Sequence, residues 1–169
     1  MSADEISALV LDPGYSTVRA GFAGEDVPRS VVSSYYGTVP AGSTPKYLYG
    51  DNSINRPSSG KAIGNPMSGD GTVEDWGTAQ TLWEYAITSR LTSAKPPNPI
   101  LHDKDDKFEQ QDVNMDGMDD QEKPMAENPL LMTETGWNAG KSREKGIEIA
   151  MEDWGCPAYW LARNGVLAA

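Results

Sequence analysis

The first thirty residues alternate between apolar and polar positions in a way that predicts two strands joined by a tight turn. Residues 6–11 are rich in aliphatic side chains and end at Asp12-Pro13-Gly14, where proline presets φ and glycine permits φ > 0. Residues 16–23 alternate polar or small side chains with apolar ones, which indicates an extended segment. Together the two runs predict a β-hairpin.

Residues 31–75 are interrupted at short intervals by Gly, Pro, Ser and Asn, so strands are predicted there only at 31–32 and 46–49. This part of the chain is expected to form a small lobe with little core of its own. A helix is predicted over 76–91, because Asp75 is a favourable N-cap residue and a proline cluster at 96–99 follows. Residues at helical spacing predict its inward face: Trp76, Ala79, Trp83, Ala86 and Ile87.

The last third of the chain predicts a short buried strand over 129–134 and a helix over 138–153. Asn138 is the expected N-cap of this helix, and Gly155 is well placed to end it. A further apolar stretch covers 158–161. Strands that alternate with helices predict an α/β layer fold. The second helix is expected to bury Ile147, Ala150, Met151 and Trp154.

Charge and hydropathy argue against several classes of function. The 169 residues include 14 basic and 25 acidic side chains, a net charge of −11, and no basic patch, which argues against sequence-specific DNA binding. No apolar run approaches the roughly 20 residues of a membrane span, and the acidic start of the chain predicts no secretory signal. Nine acids and three lysines fall within 102–123, so the segment 97–123 is predicted to be a disordered acidic insertion.

Three further features carry no predicted site. The single Cys156 fits a reducing compartment and is interpreted as a small packed thiol. His102 has no second histidine or cysteine pair with which to form a zinc site. Residues 112–117 match the first half of a calcium-binding loop, but Lys123 stands where a bidentate glutamate is needed, so calcium binding is rejected.

The turn after the first strand has a defined chemical use. Consecutive turn amides can form an anion-binding concavity for phosphate, and Asp12 is placed to hold Mg²⁺ through water. Arg19, on the second strand, would neutralise phosphate charge. The alternative interpretation is an ordinary hairpin turn, since short glycine motifs match by chance.

Residues 12–37, DPGYSTVRAGFAGEDVPRSVVSSYYG, resemble the first phosphate loop and following segment of actin and the actin-related proteins. The similarity continues at 49–51, 71–76, 128–134, 141–145 and 157–158, and covers nearly the whole chain except 97–123. The altered loop, with Pro13 and Tyr15, looks like the nuclear actin-related protein 4 class. Arg19 stands where actin has a phosphate-contacting lysine. Asn164 stands where actin has the glutamine that positions the attacking water.

The resemblance implies an actin-like, ribonuclease H-like α/β fold in which this chain forms the first lobe: a mixed sheet flanked by helices. Subdomain 1 would comprise residues 1–32 and 71–169, with the acidic insertion 97–123, and a small outer subdomain 2 would comprise 33–70. The second lobe is missing, so the chain is expected to be the N-terminal portion of a longer polypeptide. Implied binding residues for ATP are Asp12, Gly14, Tyr15, Ser16, Thr17 and Arg19, with Asp12 also holding Mg²⁺.

The implied function is that of a nuclear, non-filament structural subunit of chromatin-remodelling and histone acetyltransferase complexes. It would bind ATP with little hydrolysis and no catalytic residue, because Asn164 is one methylene shorter than glutamine. It would pair with monomeric actin on a scaffold helix, with histones or the nucleosome as a further candidate partner and no membrane contact. The alternatives are a polymerising actin-like ATPase of the cytoskeleton and an unrelated sugar or acetate kinase with a similar turn.

Overall fold

A computed structural model describes residues 7–42, 44–89, 91, 123 and 125–167. The strands are β1 (Leu9–Pro13), β2 (Thr17–Phe22), β3 (Ser30–Ser33), β4 (Tyr36–Val39), β5 (Lys46–Leu48), β6 (Ala62–Gly64), β7 (Leu130–Glu134) and β8 (Tyr159–Arg163). The helices are α1 (Asp51–Ile54), α2 (Trp76–Thr88), α3 (Gly140–Glu148) and α4 (Asn164–Leu167). No helix in the described ranges is both long enough and apolar enough to cross a bilayer.

The larger sheet has five strands in the order β3-β2-β1-β7-β8. β1 pairs antiparallel with β2 and parallel with β7, and β7 pairs parallel with β8. This mixed sheet, flanked by helices, confirms the predicted α/β class. The predicted hairpin is also present, but β1 extends through Pro13, which pairs with Val18. The tight turn therefore begins at Gly14, two residues later than the sequence suggests.

The smaller sheet, in the order β5-β4-β6, lies within the predicted outer subdomain 33–70. Only β5 was predicted, so the expectation that residues 46–49 form the one strand after 31–32 is wrong. β4 and β6 each contain a glycine, which weakens the strand pattern in the sequence, and in the structure a ladder of tyrosine rings joins β4 and β5 to α2. Neighbouring ring centroids are 5.7–6.4 Å apart along Tyr36, Tyr47, Tyr49 and Tyr85.

The helix predicted over 76–91 is confirmed as α2, which ends at Thr88. Asp75 caps it as expected: Oδ1 accepts the Thr78 N–H at 3.1 Å and Oδ2 accepts the Thr78 hydroxyl at 2.6 Å. The helix packs on β1, β2 and β3 and supplies much of the core. The fully buried apolar residues of this layer are Leu9, Leu11, Val18, Ala79, Leu82, Ala86 and Ile87.

The second predicted helix begins later than expected. α3 starts at Gly140 with Ala139 as its N-cap, so the prediction of Asn138 as the cap is wrong. The Asn138 amide instead donates to Glu134 Oε2 at 2.9 Å. A charged acceptor competes successfully with the helix end, because hydrogen bonds to ionised groups are the stronger ones.

The end of the second helix is π-helical. Over Ile149–Asp153 the chain makes one wide turn, in which Trp154 N–H donates to Ile149 O at 2.9 Å. The extra residue rotates the buried face relative to a regular α-helix. Two of the four predicted inward residues are wrong, and one of them, Ile147, precedes the π-helical turn, so the buried face was misassigned by one position from Gly146 onwards. Ala150 and Trp154 are buried, whereas Ile147 and Met151 are exposed. Gly155 ends the helix as predicted, with φ of 72°.

Of the remaining predictions, the one for Cys156 concerns a residue that the structure describes, and the others concern residues mostly outside the described ranges. Cys156 is buried, which confirms the predicted packed thiol, and burial raises the pKa of this thiol to about 11. The acidic insertion 97–123 lies outside the described residues except for Lys123, whose ammonium donates to Glu152 O. His102 and the loop 112–117 lie outside them as well.

Candidate functional site

A cleft of about 270 Å³ opens where the parallel strands of the larger sheet end. β1, β7 and β8 run in the same direction, so their carboxyl ends meet at one edge. Asp12, Thr133 and Asn164 come from these three ends and all line the cleft. Ligands of open α/β sheets bind at this edge, because loops and helix starts converge there. The β1–β2 turn lies at this edge of the sheet.

The carbonyl groups of the β1–β2 turn are held by hydrogen bonds from other segments. The Ser34 hydroxyl donates to Gly14 O at 2.6 Å, and the Ser34 N–H donates to Ser16 O at 3.0 Å. The Asn65 amide donates to Tyr15 O at 2.9 Å. Ser34 is fully buried, so these bonds fix three consecutive carbonyl oxygens of the turn.

The amide groups of the same turn are only partly used. Gly14 N–H donates across the turn to Thr17 O at 3.0 Å. Over the ranges that the structure describes, the N–H groups of Tyr15 and Ser16 have no acceptor. Two neighbouring unpaired amides, beside carbonyls that are already occupied, leave a local excess of donors. Unpaired turn amides can act as donors to an anion, although Gly14 does not adopt the positive φ that the sequence suggested for this turn.

Asp12 is held from both sides. Its Oδ1 accepts the Thr133 hydroxyl at 2.6 Å, and its Oδ2 accepts from Arg19 Nη1 at 3.2 Å. Strand register explains the second contact, because Asp12 and Arg19 are directly opposite each other on β1 and β2. The Asp12 side chain remains 38% exposed. A carboxylate oriented at the cleft in this way suits a hydrated Mg²⁺, which prefers few protein ligands.

No dedicated metal cage exists in the described part of the chain, where no three His, Cys, Asp or Glu side chains converge. That is compatible with Mg²⁺, which usually takes its remaining ligands from water and substrate phosphates. The donor set therefore fits the predicted cofactor pair, a polyphosphate together with Mg²⁺.

The structure places some of the predicted site residues in the cleft lining and others beside it. Asp12, Gly14, Tyr15 and Asn164 line the cleft, and Arg19 reaches it through its contact with Asp12. Ser16 lies on the turn and Thr17 is the first residue of β2, and neither is part of the cleft lining. Tyr15 is 40% exposed and makes an edge-to-face contact with Tyr35, with ring centroids 6.1 Å apart.

Sequence reasoning missed a second polar group at the cleft. Arg143 Nε lies 2.9 Å from both carboxylate oxygens of Glu134, whose side chain is 8% exposed. With the Asn138 bond to the same carboxylate, this pair anchors the loop between β7 and α3 beside the cleft. Its only sequence signal is an acid at a predicted strand end and an arginine nine residues later.

Thr135 lies in the same loop, and its Oγ1 is buried without a hydrogen-bond partner in the described residues. The residue lines the cleft, so this oxygen is a spare polar atom next to the candidate site.

A family model and several known proteins match almost the whole length of this chain. The family model described as Actin matches residues 3–169. "Actin-related protein 4" of Emericella nidulans is 54% identical over 167 residues, covering 98% of this chain and 35% of that protein. The protein of the same name from Gibberella zeae is 49% identical over 174 residues, covering 98% of this chain and 36% of the relative. The one from Saccharomyces cerevisiae is 30% identical over 159 residues, covering 94% and 26%.

The chain thus spans about a third of the length of the first two relatives and matches them almost from end to end of its own sequence. The mixed sheet and the turn at its carboxyl edge agree with that match. The chain belongs to the actin family.

Proposed function

We propose that the β1–β2 turn binds the phosphates of ATP, with Mg²⁺ as the accompanying cation. The observation that carries this proposal is the donor excess at the turn: three occupied carbonyls and the unpaired amides of Tyr15 and Ser16. Asp12 would hold Mg²⁺ through its water ligands, and Arg19 would contact phosphate. When bound, Mg²⁺ neutralises phosphate charge. Gly14 and Thr17 shape the turn that presents the amides.

We further propose that bound ATP serves mainly as a folding cofactor and is hydrolysed slowly. Asn164 lines the cleft at the start of α4, where the resemblance to actin places a water-positioning glutamine. The asparagine amide is one methylene shorter and would hold the attacking water poorly. In-line attack on phosphate depends on such positioning, so a small displacement costs much of the rate.

The cellular proposal rests on the relatives named actin-related protein 4. We propose a nuclear, non-filament structural subunit of chromatin-remodelling and histone acetyltransferase complexes, which pairs with monomeric actin on a scaffold helix. Contact of the acidic segment 97–123 with a basic partner such as a histone is part of this proposal. A polymerising, cytoskeletal actin-like ATPase is the competing function.

The nucleotide content of the purified full-length protein tests the cofactor proposal. We expect close to one ATP per protein, and we expect Asp12→Ala to lower both the retained nucleotide in Mg²⁺ and the melting temperature, because the carboxylate at the turn is lost. Asp26→Ala is the matched control, since Asp26 is exposed in the loop after β2. Unchanged nucleotide content in the Asp12 variant would contradict the assignment.

Two assays on the same protein separate the competing functions. The proposed role predicts little phosphate release from the ATP-loaded protein and no pelleting in Mg-ATP and salt over a wide concentration range. Release at an actin-like rate would contradict the slow hydrolysis, and concentration-dependent pelleting would favour the polymerising ATPase.

A further inference from the structure

Arg19 forms an ion pair with Asp12, whose carboxylate is the group proposed to hold the cation. Its Nη1 is 3.2 Å from Asp12 Oδ2, while Asp12 Oδ1 is held by the Thr133 hydroxyl at 2.6 Å. Each oxygen of the carboxylate therefore has a partner within the chain. The two contacts differ in environment, because Thr133 is buried whereas the Arg19 side chain is 52% exposed. The bond to Thr133 fixes the carboxylate, and the contact with Arg19 is the exchangeable one.

At Asp12 itself the ion pair with Arg19 lowers the attraction for a cation, while Asp70, which also lines the cleft, adds negative charge nearby. Asp12 and Arg19 neutralise each other, so a divalent cation approaching Asp12 alone meets a pair with no net charge. The amides of Tyr15 and Ser16 meet no such competition in the described residues and attract phosphate directly. Exposed ion pairs contribute little to stability. A guanidinium binds phosphate oxygens well and can leave a carboxylate for them.

We propose that Arg19 is an exchangeable counter-ion that makes cation binding depend on polyphosphate. With the turn empty, Arg19 neutralises Asp12. A polyphosphate bound at the turn draws the guanidinium away and frees Asp12 Oδ2 for a hydrated divalent cation. The order of binding is therefore polyphosphate first and cation second. This inference rests on the proposed phosphate site and assigns Arg19 a role beyond contacting phosphate.

The test measures how Mg²⁺ and inorganic tripolyphosphate, added separately and together, change the Tm of full-length protein freed of nucleotide. For the wild type we expect tripolyphosphate alone to raise Tm by about 1–3 °C at a tenfold excess over its Kd. Mg²⁺ alone is expected to have no measurable effect, and Mg²⁺ with tripolyphosphate to add a second increment. In Arg19→Gln, Mg²⁺ alone should raise Tm, because Asp12 is no longer neutralised. Calorimetric titration with Mg²⁺ gives a second readout.

The matched control is Lys46→Gln, which removes the same charge from an exposed position on β5. It should respond to both probes as the wild type does. If Mg²⁺ alone stabilises the wild type as much as Arg19→Gln, the counter-ion role is wrong while the phosphate site stands. If tripolyphosphate stabilises no form of the protein, the phosphate site itself is wrong and the inference falls with it.

Discussion

Replacing Trp83 by alanine is expected to lower the free energy of unfolding by about 3–5 kcal/mol. The side chain is 1% exposed and makes edge-to-face contacts with Trp76 and Trp154, at centroid distances of 6.1 and 6.5 Å. Its removal leaves a cavity under α2 that the neighbouring indoles cannot fill by small movements. Denaturant unfolding of the full-length protein, followed by far-UV circular dichroism, measures the loss.

Two milder variants provide the matched comparison. Trp154 Nε1 donates to Glu84 Oε1 at 2.6 Å, whereas Trp83 Nε1 is buried without a partner in the described residues. Trp154→Phe should therefore cost about 1–2 kcal/mol more than Trp83→Phe, because a hydrogen bond to a charged group is lost only at Trp154. Equal costs for the two phenylalanine variants would show that the Glu84 bond contributes nothing to stability.

Gly14→Ala is expected to weaken ATP binding by about tenfold or more. This factor corresponds to the loss of one hydrogen bond from a turn amide to the charged phosphate. A Cβ at this position would lie 2.8 Å from Thr17 O, a backbone atom that cannot rotate away. The turn must then open, and the bond from Gly14 N–H to the same oxygen, 3.0 Å long, is lost. The positions of the Tyr15 and Ser16 amides, which belong to the same turn, would then change. Equilibrium binding of a fluorescent ATP analogue measures the change.

Gly77→Ala is the control for that variant. A Cβ there meets only Asp75 Oδ1 at 3.7 Å, an ordinary contact near the start of α2. It should leave ATP affinity unchanged and stabilise the helix slightly. Wild-type affinity in Gly14→Ala, with the circular dichroism spectrum intact, would show that the turn geometry does not determine nucleotide binding.

The parts of the fold that sequence could predict are those specified within a few residues. The hairpin follows from apolar alternation around a glycine turn, and α2 follows from its apolar spacing and the cap at Asp75. β4 and β6 were missed because each contains a glycine, which weakens the strand pattern in the sequence, so that their pairing, as of Tyr36 with Gly64, is visible only in the structure. The inward face of α3 was misassigned by one position, to Ile147 instead of Gly146, and the π-helical turn at Ile149–Asp153 has no local sequence signal either.

The candidate site divides in the same way. Asp12 and Arg19 belong to one hairpin, seven residues apart, so their chemistry is visible in the sequence. Ser34 and Asn65 hold the turn carbonyls from 20 and 50 residues away. Such contacts depend on how the two sheets sit against each other, which periodicity does not report. The side chains proposed to contact the ligand were therefore predictable from the sequence. The hydrogen bonds that occupy the turn carbonyls were not.

The proposed function depends on phosphate binding by the amides of Tyr15 and Ser16. A crystal structure of the full-length protein with a non-hydrolysable ATP analogue and Mg²⁺ tests it most directly. We expect phosphate oxygens within about 3 Å of both amide nitrogens, with Arg19 turned from Asp12 towards phosphate. An analogue bound with its phosphates away from this turn, and the contact between Asp12 and Arg19 unchanged, would contradict it.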